Sequence, residues 1–513
     1  MYSSVNTLAL FGTDSKLIAA EADIAEGMPV FEIVGFLGSE VREARERVRT
    51  ALRNSGYLIP PKRITVNLSP ADLRKSGTSF DLAVAVSLLS AMGFAEPVSY
   101  EDTVIIGELG LSGEVKGISG ILPMVMDAKK YGFRRCIIPD ENISEGSSVE
   151  GIDVIGVHTL QETAGYLGGA VDISPAVNTA FYEELDGNRT YSADFADVTG
   201  QETVKRAMEI AAAGMHNILL IGPPGSGKTM MAKRLPTILP SLTAQECFEI
   251  TKIYSVAGHL EKGMGMMTER PFVSPHHTIS SQALVGGGRI PRPGACSMAH
   301  RGVLFLDELP EFNRGALEIL RQPMEEKEVY ISRVNGNYVF PADFLLAGAL
   351  NPCRCGYYPD RSRCNCSITD IRAYLSKISG PLLDRIDICT EVSAVKYADL
   401  NGMAERKAES SSEIRKRVMQ AFEIQKERYK GTDIRFNSDI DPKQIELYCS
   451  LESAEQKLME KTYKSLSLSA RAYHRILRVA RTIADLSGTE KISVRHLAEA
   501  IGYRSIEGRY WNG

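Results

Sequence analysis

No run of about 18 apolar residues occurs anywhere in this 513-residue chain, so the sequence predicts no membrane-spanning helix. Met1 to Thr13 lack a basic stretch followed by a long apolar one, so no export leader is expected and the chain is read as cytoplasmic. A disulfide framework is missing too. The nine cysteines, an odd number, are scattered apart from one cluster, which fits a reducing compartment. A strong charge bias is also lacking: the net charge is −5, and any surface for nucleic acid must therefore be local. What is present is ordinary for a soluble globular chain, 44% hydrophobic and 24% charged, with a length that calls for roughly two to four domains.

One stretch commits to a chemistry. Gly222-Pro223-Pro224-Gly225-Ser226-Gly227-Lys228-Thr229 reads G-x-x-x-x-G-K-T. Asn217 to Ile221 before it is an apolar run of strand length, and Met230 to Leu235 after it is helix-like and closed by Pro236. Strand, glycine loop and helix make a phosphate cradle, in which backbone N–H groups and the helix dipole face the anion. Lys228 would reach the β- and γ-phosphates of ATP, and Thr229 would hold Mg²⁺. The second fixed point is Val303-Leu304-Phe305-Leu306-Asp307-Glu308, a buried parallel strand with two acids at the end where ligands lie in such sheets. Asp307 is assigned to Mg²⁺ and Glu308 to the attacking water. A third apolar strand, Phe344 to Leu350, ends at Asn351, whose amide is suited to orient that water.

Other segments carry weaker signals. Cys353, Cys355, Cys364 and Cys366 form C-x-C-x8-C-x-C, four thiols that can meet tetrahedral zinc, with free loop thiols as the alternative. Glu328 to Phe340 has strand composition around Asn335-Gly336, a hairpin signal, and Arg333 near its tip could touch phosphates or simply be solvated. Residues 1–170 read as an α+β unit, with a helix over Val41–Leu52 that places Val41, Ala44, Val48 and Leu52 on one face, and a buried helix over Phe80–Met92. Ser410 to Lys430 reads as a charged, one-faced helix, the chain beyond Pro442 as helical, and the tail from Glu507 as loose.

These segments together resemble the YifB/ComM family of Mg-chelatase-like AAA+ proteins. The carrying residues include Pro61-Lys62-Arg63-Ile64-Thr65-Val66-Asn67-Leu68, Lys75 to Leu82, Gly107 to Val115, Arg270-Pro271-Phe272, Pro275-His276-His277-Thr278, Leu382-Leu383-Asp384-Arg385-Ile386-Asp387 and Ser469 to Leu486. The resemblance implies an α/β fold: a Lon-protease-like α+β domain over 1–170, a linker over 171–190, an AAA+ core with parallel sheet over 191–395, and a helical linker and lid over 396–513. It implies that Asp194–Gln201 closes over adenine. It also implies a pore-facing insert over Gln282–Gly294 bearing Arg289 and Arg292, and a pre-sensor hairpin bearing Arg333. Arg385 would be a finger for the neighbouring subunit's ATP, and Arg471 a sensor poised at the γ-phosphate. Arg475, Arg478 and Arg481 are expected to be solvated or interfacial, and His276 and His277 receive no role.

In Lon-type proteases a Lys activates a Ser. Ser79 stands where that Ser would be, but Ile121, Leu122, Pro123 and Met124 occupy the Lys region, so no proteolysis is expected and Ser79 is read as a helix cap. The implied activity is that of an ATP-driven ring, a hexamer, acting on single-stranded or branched DNA in recombination or transformation. A chelatase-like or protein-remodelling motor is the competing reading.

Overall fold

The computed structural model describes residues 1–95, 100–177, 193–334, 336–394, 408–466 and 468–511. Most of the expected 171–190 linker and residues 395–407, where the core passes into the lid, lie outside the described residues, as does Asn335. The chain builds two large sheets. The first opens with a hairpin, Tyr2–Phe11 against Asp14–Ala25, in which Phe11 pairs with Asp14 and Gly12-Thr13 turns the chain. Gly12 has φ +65°, the left-handed conformation that so short a turn demands. The seven strands lie in the order Val30–Val34, Arg63–Ser69, Asp14–Ala25, Tyr2–Phe11, Thr103–Ile105, Arg135–Pro139, Asp153–Val157. Helix Asp81–Ala91 is buried along its whole length, as its unbroken apolar character requires. Helix Ser39–Asn54 buries only the stripe of Val41, Ala44, Val48, Ala51 and Leu52.

Ser79 does not cap the Asp81–Ala91 helix. Phe80 holds the N-cap position without a side-chain bond, and the carboxylate of Asp81 supplies the negative charge that a helix start favours. Asp81 is in turn held by the Arg47 guanidinium at 2.8 Å.

The second sheet has five strands, all parallel, in the order Phe272–Val273, Val303–Leu306, Leu345–Leu350, Ile218–Ile221, Ile388–Glu391. Val303–Leu306, Leu345–Leu350 and Ile218–Ile221 are buried at every position, because helices cover both faces. One face packs with Glu202–Gly214, Lys228–Ile238 and the C-terminal helices in a single apolar cluster. The other meets Leu284, Cys296, Phe312, Leu317 and Ile371. The mixed α/β fold with a parallel core sheet and a helical C-terminal region agrees with the sequence reading. Pro236 does not end its helix, which runs on to Ile238. So near the C-terminus the missing N–H removes a single bond.

The C-terminal helices are Ser411–Arg428, Ser453–Ser465, Ala470–Leu486 and Val494–Trp511. The last is longer than expected and the tail is anchored: Tyr510 is buried, and the Trp511 indole donates to the Leu375 carbonyl at 3.2 Å. Arg475 and Arg481 are also not solvated. Arg481 is 3% exposed and bonds Asp485, while Arg475 donates to the carbonyls of Ile386 and Leu383. Asp485 also takes Arg428 at 2.8 Å and the Asn437 amide at 2.8 Å, so one buried carboxylate ties three segments together.

The two sheets share a boundary. Leu8, Ile121 and Val125 of the first unit join Leu242, Cys247 and Ile250 of the second in one apolar cluster, and the Gly120 N–H bonds the Ser255 carbonyl at 3.1 Å. Asp485→Ala leaves Arg428 and Arg481 buried without their acid and is expected to cost about 3–5 kcal/mol, read as a lowered denaturation midpoint. A change below about 1 kcal/mol would contradict this role for Asp485.

Candidate nucleotide site

The phosphate-type loop leaves the carboxyl end of Ile218–Ile221 and enters the helix at Lys228. Gly222 is required by close approach: a Cβ there would overlap the Val392 carbonyl oxygen. The Lys228 ammonium donates to the carbonyls of Gly222 at 2.8 Å and Pro223 at 2.9 Å, and to Asn351 Oδ1 at 3.1 Å. Burial lowers its pKa, against the opposing pull of Asp307 and Glu308. The Thr229 hydroxyl donates to Asp307 at 2.6 Å, and the second Asp307 oxygen accepts the Glu308 N–H at 2.9 Å. Glu308 itself sits at φ +50°, a strained backbone for a non-glycine residue, and its side chain is exposed. Thus Lys228, Thr229, Asp307, Glu308 and Asn351, from three adjacent strand ends, converge at one end of the sheet.

The group fits a nucleoside triphosphate with Mg²⁺. Ser226 Oγ is buried in the loop without a partner among the described residues, a spare donor within the cradle. Thr229 and Asp307 offer oxygen ligands at hydrogen-bonding distance from one another, as a hard divalent cation needs.

His277, given no role from sequence, stands beside this cluster. Its Nδ1 lies 3.8 Å from the Glu308 carboxylate, and its ring packs on His276 and edge-on to Phe312. Strand register could have found it. Val273 pairs with Leu304, and four residues further along the chain from each, past the strand ends, stand His277 and Glu308.

Arg385 and Arg471 lie elsewhere. The Arg385 carbonyl accepts from the Asn217 side chain at 2.9 Å, and Asn217 precedes the first residue of the Ile218–Ile221 strand. That is the amino end of the sheet, a strand length of about 13 Å from the phosphate-type loop. The Arg385 guanidinium pairs with Glu325, and Arg471 approaches the same Glu325 at 4.0 Å. Both line a cavity of about 430 Å³ with Arg475 and Arg478. Its walls include Arg270, Arg301 and Phe344, residues that come just before strands, so the whole cavity lies at the amino ends. Arg471, read as a sensor at the γ-phosphate in cis or in trans, lies away from the Lys228 of its own chain, because its helix packs at the opposite end of the sheet.

The four cysteine sulfurs lie within 4.8 Å of one another, Cys353 to Cys355 at 3.3 Å and Cys353 to Cys364 at 3.8 Å. Sulfurs placed 2.3 Å from a common tetrahedral zinc stand about 3.8 Å apart, so the set fits that ion. The Tyr357 N–H, bonding Cys355, brings that thiol down to about 6, while burial pushes the neighbouring Cys364 up to about 12. The cysteine loop also touches the phosphate-type loop: a Cβ on Gly356 would overlap the Pro224 ring. Arg289, Arg292 and Arg333 are exposed, and Arg333 Nε donates to the Gly288 carbonyl at 3.3 Å, so hairpin and insert adjoin. The hairpin pairs Arg333 with Gly336, which makes Gly336 a strand residue; its expected turn partner Asn335 lies outside the described residues.

Residues 194–400 match the family described as magnesium chelatase, subunit ChlI. Residues 20–142 match the family described as subunit ChlI of Mg-chelatase, and residues 408–504 match its C-terminal family. Over 502 residues the chain is 41% identical to competence protein ComM of Haemophilus influenzae, covering 98% of this chain and 97% of that protein. The chain belongs to the ComM/YifB family. It is similarly 40% identical to uncharacterized protein YifB of Escherichia coli over 505 residues, 98% of this chain and 97% of the other. A shorter likeness, 38% identity over 107 residues, links 21% of the chain to 23% of DNA repair protein RadA of Halalkalibacterium halodurans. Membership in this Mg-chelatase-like AAA+ family makes the chain an ATPase, with ATP and Mg²⁺ as its cofactors, and no described helix is long and apolar enough to cross a membrane.

Gly356→Ala, at φ +86° and against Pro224, is expected to lower stability by about 1–3 kcal/mol. It should also weaken ATP binding, read by fluorescent-nucleotide titration. Unchanged ATP affinity would show that the two loops are mechanically independent.

Proposed function

We propose that this protein is an ATP-driven ring motor, a hexamer, that acts on single-stranded or branched DNA with a branch-migration or helicase-type activity in the cytoplasm. The observation that carries the ring is the separation of Lys228 from Arg385 to opposite ends of one parallel sheet. A chain so built holds the two halves of a site facing away from each other, and a second copy completes it. The Arg385 guanidinium keeps a buried donor, Nε, without an acceptor among the described residues, as a group awaiting an anion does. Arg471 shares Glu325 with it, so both are read as serving the neighbour's nucleotide.

Within each site the roles follow from position. Gly222 to Thr229 cradle the phosphates, with Lys228 released from its loop carbonyls to neutralise them. Thr229 and Asp307 would hold Mg²⁺, which would supply charge neutralisation to the bound triphosphate. Glu308 takes a proton from water that Asn351 orients. Cys353, Cys355, Cys364 and Cys366 hold a structural zinc that stiffens the segment after Asn351. The chain is read as a Lon-like unit over 1–170, a linker over 171–190, a motor over 191–395 and a lid over 396–513.

DNA as the substrate is supported by the exposed Arg289, Arg292 and Arg333 on adjoining loops, and by the competence and DNA-repair names of its relatives. A proteolytic reading is disfavoured by chemistry. Ser79 lines a cavity to which no lysine contributes, and the nearby Lys75 ammonium is bound to the Pro70 carbonyl.

The deciding experiment is ATP turnover with and without forked or single-stranded DNA, for wild type and Glu308→Gln. Wild type should be stimulated, and Glu308→Gln should fall by about 10²-fold or more while still binding ATP. Absence of stimulation by any DNA would favour a protein-remodelling motor instead. For the cysteine loop, metal analysis of the purified chain should find zinc bound by wild type and lost from Cys364→Ser, with a lowered melting temperature. Four freely titrating thiols in the folded wild type would contradict the zinc assignment.

A further inference from the structure

A cavity of about 320 Å³ lies on the seam between the two units, where the surroundings of Ser79 meet the segment bearing Arg289 and Arg292. Three arginines line it, Arg74 from the first unit and Arg289 and Arg292 from the insert, with Glu108 as the carboxylate of the lining, and Glu40 stands near enough to feel Arg289 and Arg74. The Thr78 hydroxyl already donates to the Glu108 carboxylate. None of the three arginines forms an ion pair with another described residue. Three arginines against two carboxylates leave an excess of positive charge at the seam, which an added anion would offset.

The cavity wall is also aromatic. Tyr338 of the hairpin stacks on Phe11, with ring centroids 5.5 Å apart and planes within 9°, and Lys16 stands 4.8 Å from the Phe11 ring centre. Gly12, in the turn of one hairpin, and Gly336, the first strand residue after the turn of the other, are close enough that a Cβ on either would touch the other hairpin's residues. Positive charge interleaved with stacked rings is the chemistry that holds a single polynucleotide strand: phosphates on guanidinium groups, bases on ring faces. A cavity at the lower end of small-ligand volumes admits one nucleotide at a time and excludes a duplex.

We propose that this seam is a binding site for a single nucleic-acid strand, with Arg74 as a phosphate contact and Tyr338 with Phe11 as a stacking platform. The proposal rests on the DNA reading above and extends it to residues of the first unit. It makes the pocket beside Ser79 part of the strand's path. Because Tyr338 belongs to the hairpin that leads through Pro341 to the Leu345–Leu350 strand and Asn351, strand contact and the nucleotide site lie on one continuous segment.

The test is fluorescence anisotropy of a labelled oligothymidylate with the full-length chain and a non-hydrolysable ATP analogue. Arg74→Glu should weaken binding about 10-fold or more, Arg74→Lys should keep most of it, and Arg74→Ala should flatten the salt dependence by about 0.7. Circular dichroism establishes that the variants are folded. A thiothymidine-containing strand should photo-crosslink to peptides holding Phe11 or Tyr338. Wild type that binds the strand while Arg74→Glu binds equally well, with no crosslink at the seam, overturns this proposal and leaves the DNA motor standing. Displacement of the strand by inorganic phosphate at matched phosphate concentration overturns it too, by showing a simple anion pocket. Wild type that binds no strand at all removes both readings together.

Discussion

Strand direction is the constraint on which this structure turns. In a five-stranded sheet whose strands all run the same way, one end collects loops that follow strands and the other collects residues that precede them. The glycine loop, Asp307, Glu308 and Asn351 all follow strands; Asn217, Arg270, Arg301 and Phe344 all precede them. Hydrogen bonding within each ladder fixes that polarity, and neither side-chain length nor loop motion can bring Arg385 round to its own Lys228. If Lys228 and Arg385 serve one nucleotide, as proposed, the strand direction requires that they come from different copies.

The rest of the molecule reinforces the two ends separately. At the carboxyl end Lys228 is held against the carbonyls of its own loop and Asn351, and Gly356 lets the cysteine loop lie on Pro224, so three strand ends behave as one body. At the amino end Glu325 gathers Arg385 and Arg471, and Arg475 ties the lid helix to the carbonyls of the Arg385 turn. The first unit is attached through apolar contacts with helix Ala244–Ala257 and through two touching hairpins, which gives the motor two separate points of purchase on it.

Much of this was legible in the sequence, for identifiable reasons. Fully apolar strands such as Val303–Leu306 and the glycine spacing of the phosphate-type loop are local signals, and the structure keeps their boundaries to within a residue. What was not legible depended on partners distant in sequence. Arg481 looks like one of a solvated basic series until Asp485, Thr489 and Glu490 are seen to take its donors. His277 acquires a neighbour only once strand Phe272–Val273 is known to lie beside Val303–Leu306. Ser79 has a capping residue's composition but the following Phe80 takes the cap, and the length of the final helix depends on burial of Tyr510 against residues more than a hundred positions earlier. The placement of Arg471 likewise needed the strand order, which no local pattern encodes.

The central claim is that hydrolysis occurs between copies. It is tested most directly by mixing two inactive chains, Lys228→Ala and Arg385→Ala, and measuring ATP turnover of the mixture. Seams that join the intact Lys228 of one chain to the intact Arg385 of the other should restore a fraction of wild-type activity. A mixture as inactive as either chain alone, despite demonstrated co-assembly, would contradict the account.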